Sequence, residues 1–294
     1  MLVLGFPDYA LQGRALAAAL SAPWAEVEIH HFPDGESRIR LPPALPNDVV
    51  LCRSLDHPNH KLIELLFTAR TARQLGARHL TLVAPYLCYM RQDMAFHPGE
   101  VVSQRVIGEI LAESFDALIT VDPHLHRIRR LEEVVPARSV LALSAASLMG
   151  KFLESHPHYE NALLLGPDQE SAQWVEAIAN SRGLRCAVAT KHRDGDCAVS
   201  VTLPDGNYQD QIVVVVDDVA STGCTLAETA QVLYARGAAR VEVLVTHALF
   251  GMGSLERLKH AGIKGLWSTD SVAHPTNIIA LADLLASGVK QVTP

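Results

Sequence analysis

Residues 211–225, QIVVVVDDVASTGCT, constrain this chain more than any other stretch. Positions 212–216 are an unbroken β-branched run, the pattern of a strand covered on both faces of a parallel sheet. The run is expected to stop at two adjacent carboxylates, Asp217 and Asp218. A turn of small and hydroxylated residues follows (Ala220, Ser221, Thr222, Gly223, Cys224, Thr225), and then a helical pattern that ends at Gly237. Strand, acid pair, turn and helix start together make a phosphate pocket. Backbone N–H groups at a helix N-terminus bind an anion, and Ser and Thr hydroxyls add donors. The carboxylates do not bind a phosphate; they suit the neighbouring hydroxyls of a sugar, or a metal ion. The stretch reads as a sugar-phosphate cradle. A plain αβ connection with acidic surface residues is disfavoured, because strand and helix flank the loop in the required order.

Elsewhere the chain alternates between apolar strand-like runs and helical patterns. Strands are expected at 1–4, 26–32, 49–52, 79–85, 117–121, 162–165, 186–190 and 241–248. Helices are expected at 11–20, 61–75 (stopped by Gly76), 102–113, 171–181 and 277–285. That alternation predicts parallel sheets with helices on both faces. The two halves run through a similar order of elements without a residue-level repeat, so the expectation is a duplicated α/β fold. The boundary is set near Leu143: one domain over 1–142 and a second over 143–275, with a C-terminal helix in 276–294 packing back on the first.

Five further segments carry candidate chemistry. Pro33-Asp34-Gly35 is a turn signal between two strand-like pieces, which makes a hairpin with Phe32, Asp34 and Glu36 at its tip. Arg91, Gln92 and Asp93 cluster after strand 79–85, at the carboxyl end where doubly wound sheets bind ligands. A guanidinium fork suits a polyphosphate, while a surface salt bridge explains the same three residues equally well. His124 follows strand 117–121 and suits either a helix cap or a metal or phosphate contact. Asp168 follows strand 162–165 in Gly166-Pro167-Asp168. Lys191, His192 and Arg193 open a polar, glycine-containing segment between two strands. It is either a simple connection or a lid that brings cations to a phosphate chain.

Composition excludes several classes. The net charge of −7 argues against non-specific nucleic-acid binding, so an anionic substrate needs local Lys and Arg. No apolar run approaches the ~20 residues of a membrane span, and no leader pattern opens the chain. The five cysteines are odd in number and lack a CxxC pair, which points to a reducing cytoplasm. Cys224 is read as a small filler in the turn.

Taken in order, these motifs resemble the ribose-phosphate diphosphokinase (phosphoribosyl-diphosphate synthetase) family over nearly the whole length. The resemblance implies two similar type I phosphoribosyltransferase-like domains, each a mainly parallel sheet flanked by helices. FPDGE at 32–36 is similar to the family's adenine-binding hairpin, which reaches a neighbouring subunit's site; Phe32 would stack on adenine, with Asp34 and Glu36 beside it. YMRQD at 89–93 resembles the ATP-binding segment (Arg91, Gln92, Asp93). VDPH resembles the segment whose His, here His124, helps hold the Mg²⁺-nucleotide, and GPD the loop whose Asp, here Asp168, contacts the metal or the incoming ribose. KHR at 191–193 resembles the catalytic loop of Lys191 and Arg193. The acid pair would take the ribose 2- and 3-hydroxyls, and Ser221, Thr222, Gly223, Cys224 and Thr225 the 5-phosphate. The implied reaction moves the diphosphoryl group of MgATP to the 1-hydroxyl of ribose 5-phosphate, releasing AMP, in a cytoplasmic homo-oligomer built from dimers. The alternatives are a type I phosphoribosyltransferase and a non-catalytic regulatory subunit of such a synthetase. Ser221, and Arg127 with the residues after it, depart from the commonest family pattern.

Overall fold

The computed structural model describes residues 1–125, 127–128, 130–193 and 199–293, for 193 and 199 the backbone only. The chain divides into two units: Met1–Leu143 with Ser271–Ala273 and Leu281–Pro294, and Ser144–Asp270 with His274–Ala280.

In the first unit the elements run β1 (Leu2–Gly5), α1 (Ala10–Ala19), β2 (Trp24–Glu26), β3 (Glu28–His31), β4 (Ser37–Arg40), β5 (Asp48–Cys52), α2 (Pro58–Gln74), β6 (His79–Val83), α3 (Ser103–Ser114), β7 (Ala117–Val121) and β8 (Ser139–Leu143). The second continues with α4 (Ala146–Glu154), β9 (Leu163–Gly166), α5 (Ala172–Arg182), β10 (Arg185–Val188), β11 (Thr190–Arg193), β12 (Val199–Thr202), β13 (Ile212–Ala220), α6 (Cys224–Ala235), β14 (Arg240–Ala248), α7 (Ser254–His260), β15 (Gly265–Thr269) and β16 (Asn277–Ile279). The last helix, α8 (Ala282–Val292), packs on α1, β7 and β8 of the first unit.

Each unit is built on a six-stranded sheet, ordered β2-β1-β5-β6-β7-β8 in the first and β10-β9-β13-β14-β15-β16 in the second. Every neighbouring pair in both sheets is parallel. The orders superimpose position by position, so the expected duplication holds as a repeat of topology. Parallel neighbours need crossovers, and the intervening helices supply them. Each unit also carries one antiparallel hairpin inserted after its edge strand, β3–β4 in the first and β11–β12 in the second. The apolar runs are buried because helices cover both faces of the strands: Val213, Val214, Val215 and Val216 are all fully buried, worth about 1.5–3 kcal/mol each on a side-chain basis.

Several boundaries differ from the sequence reading: the expected strand 26–32, for one, divides into β2 and β3, which belong to different sheets. Strand β13 does not stop before the carboxylates but runs on through Asp217 and Asp218 to Ala220. Pairing with β14 continues to Ala220↔Ala248, whereas pairing with β9 ends at Val215↔Leu165. Residues 191–193 are not a simple connection but lie in an arm of the β11–β12 hairpin, with Lys191 opposite Val201. Residues 277–279, expected in a helix, form the edge strand β16. Asn277 fixes it there, because its side-chain amide donates to Ser268 Oγ at 3.0 Å and to the Thr269 carbonyl at 2.5 Å.

Candidate functional site

The unequal pairing of β13 makes the site in the second unit. Beyond Val215 the ladder continues only toward β14, so the β9 side opens at the level of Asp217 and Asp218. That is a carboxyl-end crevice of the kind where open α/β sheets take ligands. Asp168 lies two residues past the end of β9. Its carboxylate accepts from the backbone N–H of Glu170 (3.1 Å) and of Ser171 (3.2 Å), which orients it. The Lys191 ammonium, carried in by β11, forms an ion pair with Asp168 Oδ2. Arg193 shares that arm, and its side chain lies outside the described residues, as do residues 194–198.

Negative charge is in excess here. Burial pushes the Asp217 carboxyl well above its ordinary 3.8, and the charges of Asp218 and Asp168 push it the same way; Lys191 opposes them. Asp218 is buried, and its Oδ1 accepts from the Val219 N–H at 2.7 Å. After the acids the chain turns through Ser221, Thr222 and Gly223. Gly223 takes φ +73°, in the left-handed region open to glycine at little cost, and α6 begins at Cys224. The N–H groups of a helix's first turn have no intrahelical acceptors, so the turn presents donors to an anion. Thr222 is exposed while Ser221 and Thr225 are half-buried.

Sequence reading missed what stands behind this turn. Ser254 Oγ donates to the Ser221 carbonyl at 2.9 Å, and Arg257 donates to the Thr222 carbonyl. Leu258 would lie 3.2 Å from a Cβ placed on Gly223. Helix α7 thus props the turn from a point about thirty residues along the chain, beyond the reach of any local pattern. A second correction concerns Cys224. It is disulfide-bonded rather than a free filler, whereas Cys88 and Cys186 are free.

In the first unit, Phe32, Asp34 and Glu36 stand exposed at the tip of the β3–β4 hairpin. The tip is closed by Phe32 N–H to the Glu36 carbonyl at 2.8 Å and Gly35 N–H to the Phe32 carbonyl at 3.0 Å. Residues 91–93 follow β6 and are anchored from α3, because Gln104 donates its side-chain amide to the Met90 carbonyl at 3.1 Å. Arg91 is exposed and Gln92 half-buried. Asp93 is buried and paired with Arg127 at 2.7 Å, so the departure at Arg127 neutralises that carboxylate. His124 is half-buried beyond the end of β7. Tyr89 and Asp122, just before these two groups, have φ of +61° and +38°. Non-glycine residues held in that region gather at functional sites.

The donor chemistry fits a magnesium ion. Among the described residues no cluster of three or more His, Cys, Asp or Glu converges as a cage, and the second-unit acids are hard oxygen donors. Magnesium commonly binds through one or two carboxylates while keeping waters and substrate phosphates.

Comparison with known proteins covers both units. Residues 8–114 match the N-terminal domain of ribose phosphate pyrophosphokinase, and residues 139–266 match the phosphoribosyl transferase domain. The ribose-phosphate pyrophosphokinase of Methanopyrus kandleri is 33% identical over 294 residues, covering 100% of both chains. That of Saccharolobus solfataricus is 33% identical over 275 residues, covering 88% of this chain and 89% of its own. Among solved structures, phosphoribosylpyrophosphate synthetase from Mycobacterium smegmatis superimposes with a TM-score of 0.86 at 22% identity, over 99% of this chain and 98% of that one. That likeness supports the fold.

The charge state of Asp217 has a measurable consequence. A carboxyl whose folded value is raised contributes stability that is whole below pH 3.8 and lost as pH rises through the folded value. Asp217→Asn should therefore stabilise the ligand-free protein at pH 8. The Tm should rise by about 2–4 °C per kcal/mol relieved, with the gap closing toward pH 4. Thermal scans at both pH values check it; an equal or lower Tm at pH 8 contradicts the assignment.

Proposed function

The chain belongs to the ribose-phosphate pyrophosphokinase family, and from that premise we propose that it transfers the diphosphoryl group of MgATP to the 1-hydroxyl of ribose 5-phosphate, giving 5-phosphoribosyl 1-diphosphate and AMP. The observation that carries the reading is the acid pair at the open end of β13, followed directly by the Ser-Thr-Gly turn into α6. The phosphoribosyltransferase alternative is disfavoured, because the match extends to the N-terminal domain that is particular to the pyrophosphokinases.

Asp217 and Asp218 accept hydrogen bonds from the ribose 2- and 3-hydroxyls. The turn Ser221, Thr222, Gly223, Cys224 and Thr225 receives the 5-phosphate. With the sugar so held, its anomeric oxygen attacks the β-phosphorus in line, and the bond to the bridging α-phosphate oxygen breaks, releasing AMP. Such transfer depends on positioning and on charge stabilisation more than on covalent help. Lys191 exchanges Asp168 for the oxygens of the transferring group, with Arg193 beside it in the reaction. That exchange frees Asp168. Asp168 in the second unit and His124 in the first are each a candidate to hold magnesium, directly or through water; when bound, the ion would neutralise phosphate oxygens. Arg91, Gln92 and Asp93 orient the nucleotide, and Phe32, Asp34 and Glu36 take its base and sugar. The reading assigns the enzyme to the cytoplasm, where ATP and sugar phosphates are found. No described helix is long and apolar enough to cross a membrane.

Incubating the purified chain with ATP, magnesium and ribose 5-phosphate should release AMP in step with 5-phosphoribosyl 1-diphosphate. Lys191→Ala should lower kcat by about 10²–10³, the usual cost of one transition-state donor, with ribose 5-phosphate binding retained. Near-normal turnover in that variant removes Lys191 from the chemistry.

The exposed hairpin further supports a site shared between two copies. Phe32→Ala and Lys191→Ala would then damage sites in complementary ways. Assayed with ATP well below the raised KM of Phe32→Ala and mixed after subunit exchange, the two impaired proteins should recover about a quarter of wild-type activity, as random pairing gives one intact site per mixed dimer. No recovery contradicts the shared site.

A further inference from the structure

The duplication sets a question: what occupies the first unit where the second has its acid pair? The sheet registers answer it. Gly5 of β1 faces Cys52 of β5. In the second unit Leu165 faces Val215, so the next step brings Gly166 level with Val216. Arg53 therefore stands at the position of Asp217, a buried cation in place of a half-buried acid. Its guanidinium, 3% exposed, pairs with Asp8 at 3.0 Å and with Glu64 at 2.7 Å, and lies 4.3 Å over the Phe6 ring. Asp8 follows Gly5-Phe6-Pro7 much as Asp168 follows Gly166-Pro167. Lys61 bridges Asp8 (2.8 Å) and Asp56 (2.7 Å). Cations of the protein itself are thus paired with the acids at this end of the first unit's sheet.

Glu64 extends this cluster outward. Its Oε1 lies 2.7 Å from His31 Nε2 and accepts from Ser37 Oγ at 2.9 Å. His31 and Ser37 are partners across β3 and β4, the last rung before the tip that carries Phe32, Asp34 and Glu36. One buried carboxylate oxygen therefore grips both strands at the base of the tip. Burial pushes the Glu64 carboxyl up, but the bonds from His31, Arg53 and Ser37 together outweigh it and hold it below 4.5, so the gripping group is the anion. His31 is 61% exposed and Ser37 half-buried, so the grip acts on a hairpin that is otherwise largely in solvent.

We propose that Glu64, braced by Arg53, is a positioning residue for nucleotide binding, fixing the β3–β4 hairpin so that Phe32, Asp34 and Glu36 meet the base in one geometry. The inference rests on the hairpin's assignment to the nucleotide. A hairpin released from its anchor must be ordered again when ATP binds, and that ordering is a cost in affinity.

The test is steady-state kinetics on the surface double variant His31→Ala/Ser37→Ala, which leaves the Glu64–Arg53 pair intact, alongside Glu64→Gln, Ser37→Thr and Phe32→Ala. The double variant should raise KM for ATP about tenfold, for two hydrogen bonds lost. Its KM for ribose 5-phosphate, kcat and Tm should stay within about twofold, or about 2 °C, of wild type. Ser37→Thr, which keeps the hydroxyl, should stay near wild type. An unchanged KM for ATP in the double variant, with a raised one in Phe32→Ala, overturns the positioning role alone. An unchanged KM for ATP in Phe32→Ala overturns the hairpin's assignment and the inference with it. A parallel rise in both KM values or a clear fall in Tm shows a merely structural part and also overturns it. Glu64→Gln, which keeps the shape but weakens the grip, should raise KM for ATP in the same direction if it folds with wild-type Tm.

Discussion

A cluster of carboxylates at the open end of a buried strand is the constraint on which the second unit depends. Strand β13 is apolar because helices cover both its faces, and that same covering leaves Asp218 buried and Asp217 half-buried. With Asp168 close by and Lys191 as the counter-charge, the ligand-free site holds more negative charge than it can offset, which is why burial and neighbouring acids raise the Asp217 carboxyl. Ribose hydroxyls donate hydrogen bonds into such a site without adding charge. In the proposed reading the phosphate, an anion, goes a few residues further on, to the turn and the start of α6, where first-turn amides lack intrahelical acceptors. On that reading sugar and phosphate are separated along one short stretch of chain according to what each part of it can accept.

The duplicated topology solves the same problem twice, in opposite ways. In the second unit the crevice stays open and the acids await a ligand. In the first, Arg53 and Lys61 supply internal cations to Asp8, Asp56 and Glu64. The buried charge is paired, and breaking one partner of such a pair is costly because it leaves the other uncompensated. The inserted hairpins follow the same division. The β11 arm delivers Lys191 to an acid in its own unit's crevice, while the β3–β4 tip is fixed at its base and stands exposed at its end. One architecture thereby yields an acid-lined strand end and an exposed arm anchored at its base.

Much of this was legible in the sequence, because buried parallel strands are written as continuous apolar runs and their helices as periodic ones. The run before Asp217, the turn with Gly223 and the strand 241–248 were all readable for that reason, as was the family resemblance carried by motifs in order. What escaped the reading depends on pairing over long sequence distance. Strand β13 continues past its acids because β14 pairs with it that far, and nothing local marks this. Residues 191–193 are polar and look like a loop; their strand character comes from β12. Ser254 and Arg257 support the turn from another element, and Glu64 grips a hairpin some thirty residues upstream. Arg127, conspicuous only as a departure from the family pattern, acquires its meaning from Asp93. Spacing could not mark the disulfide at Cys224 either, since cysteine count alone suggests free thiols.

The central claim is that ribose 5-phosphate sits in the bend after β13, and a crystal soaked with that sugar tests it most directly. The account predicts difference density with the phosphate among the amides of residues 221–225 and the 2- and 3-hydroxyls within hydrogen-bonding distance of Asp217 and Asp218. Density for the sugar elsewhere, with those two carboxylates turned away from it, would contradict the account.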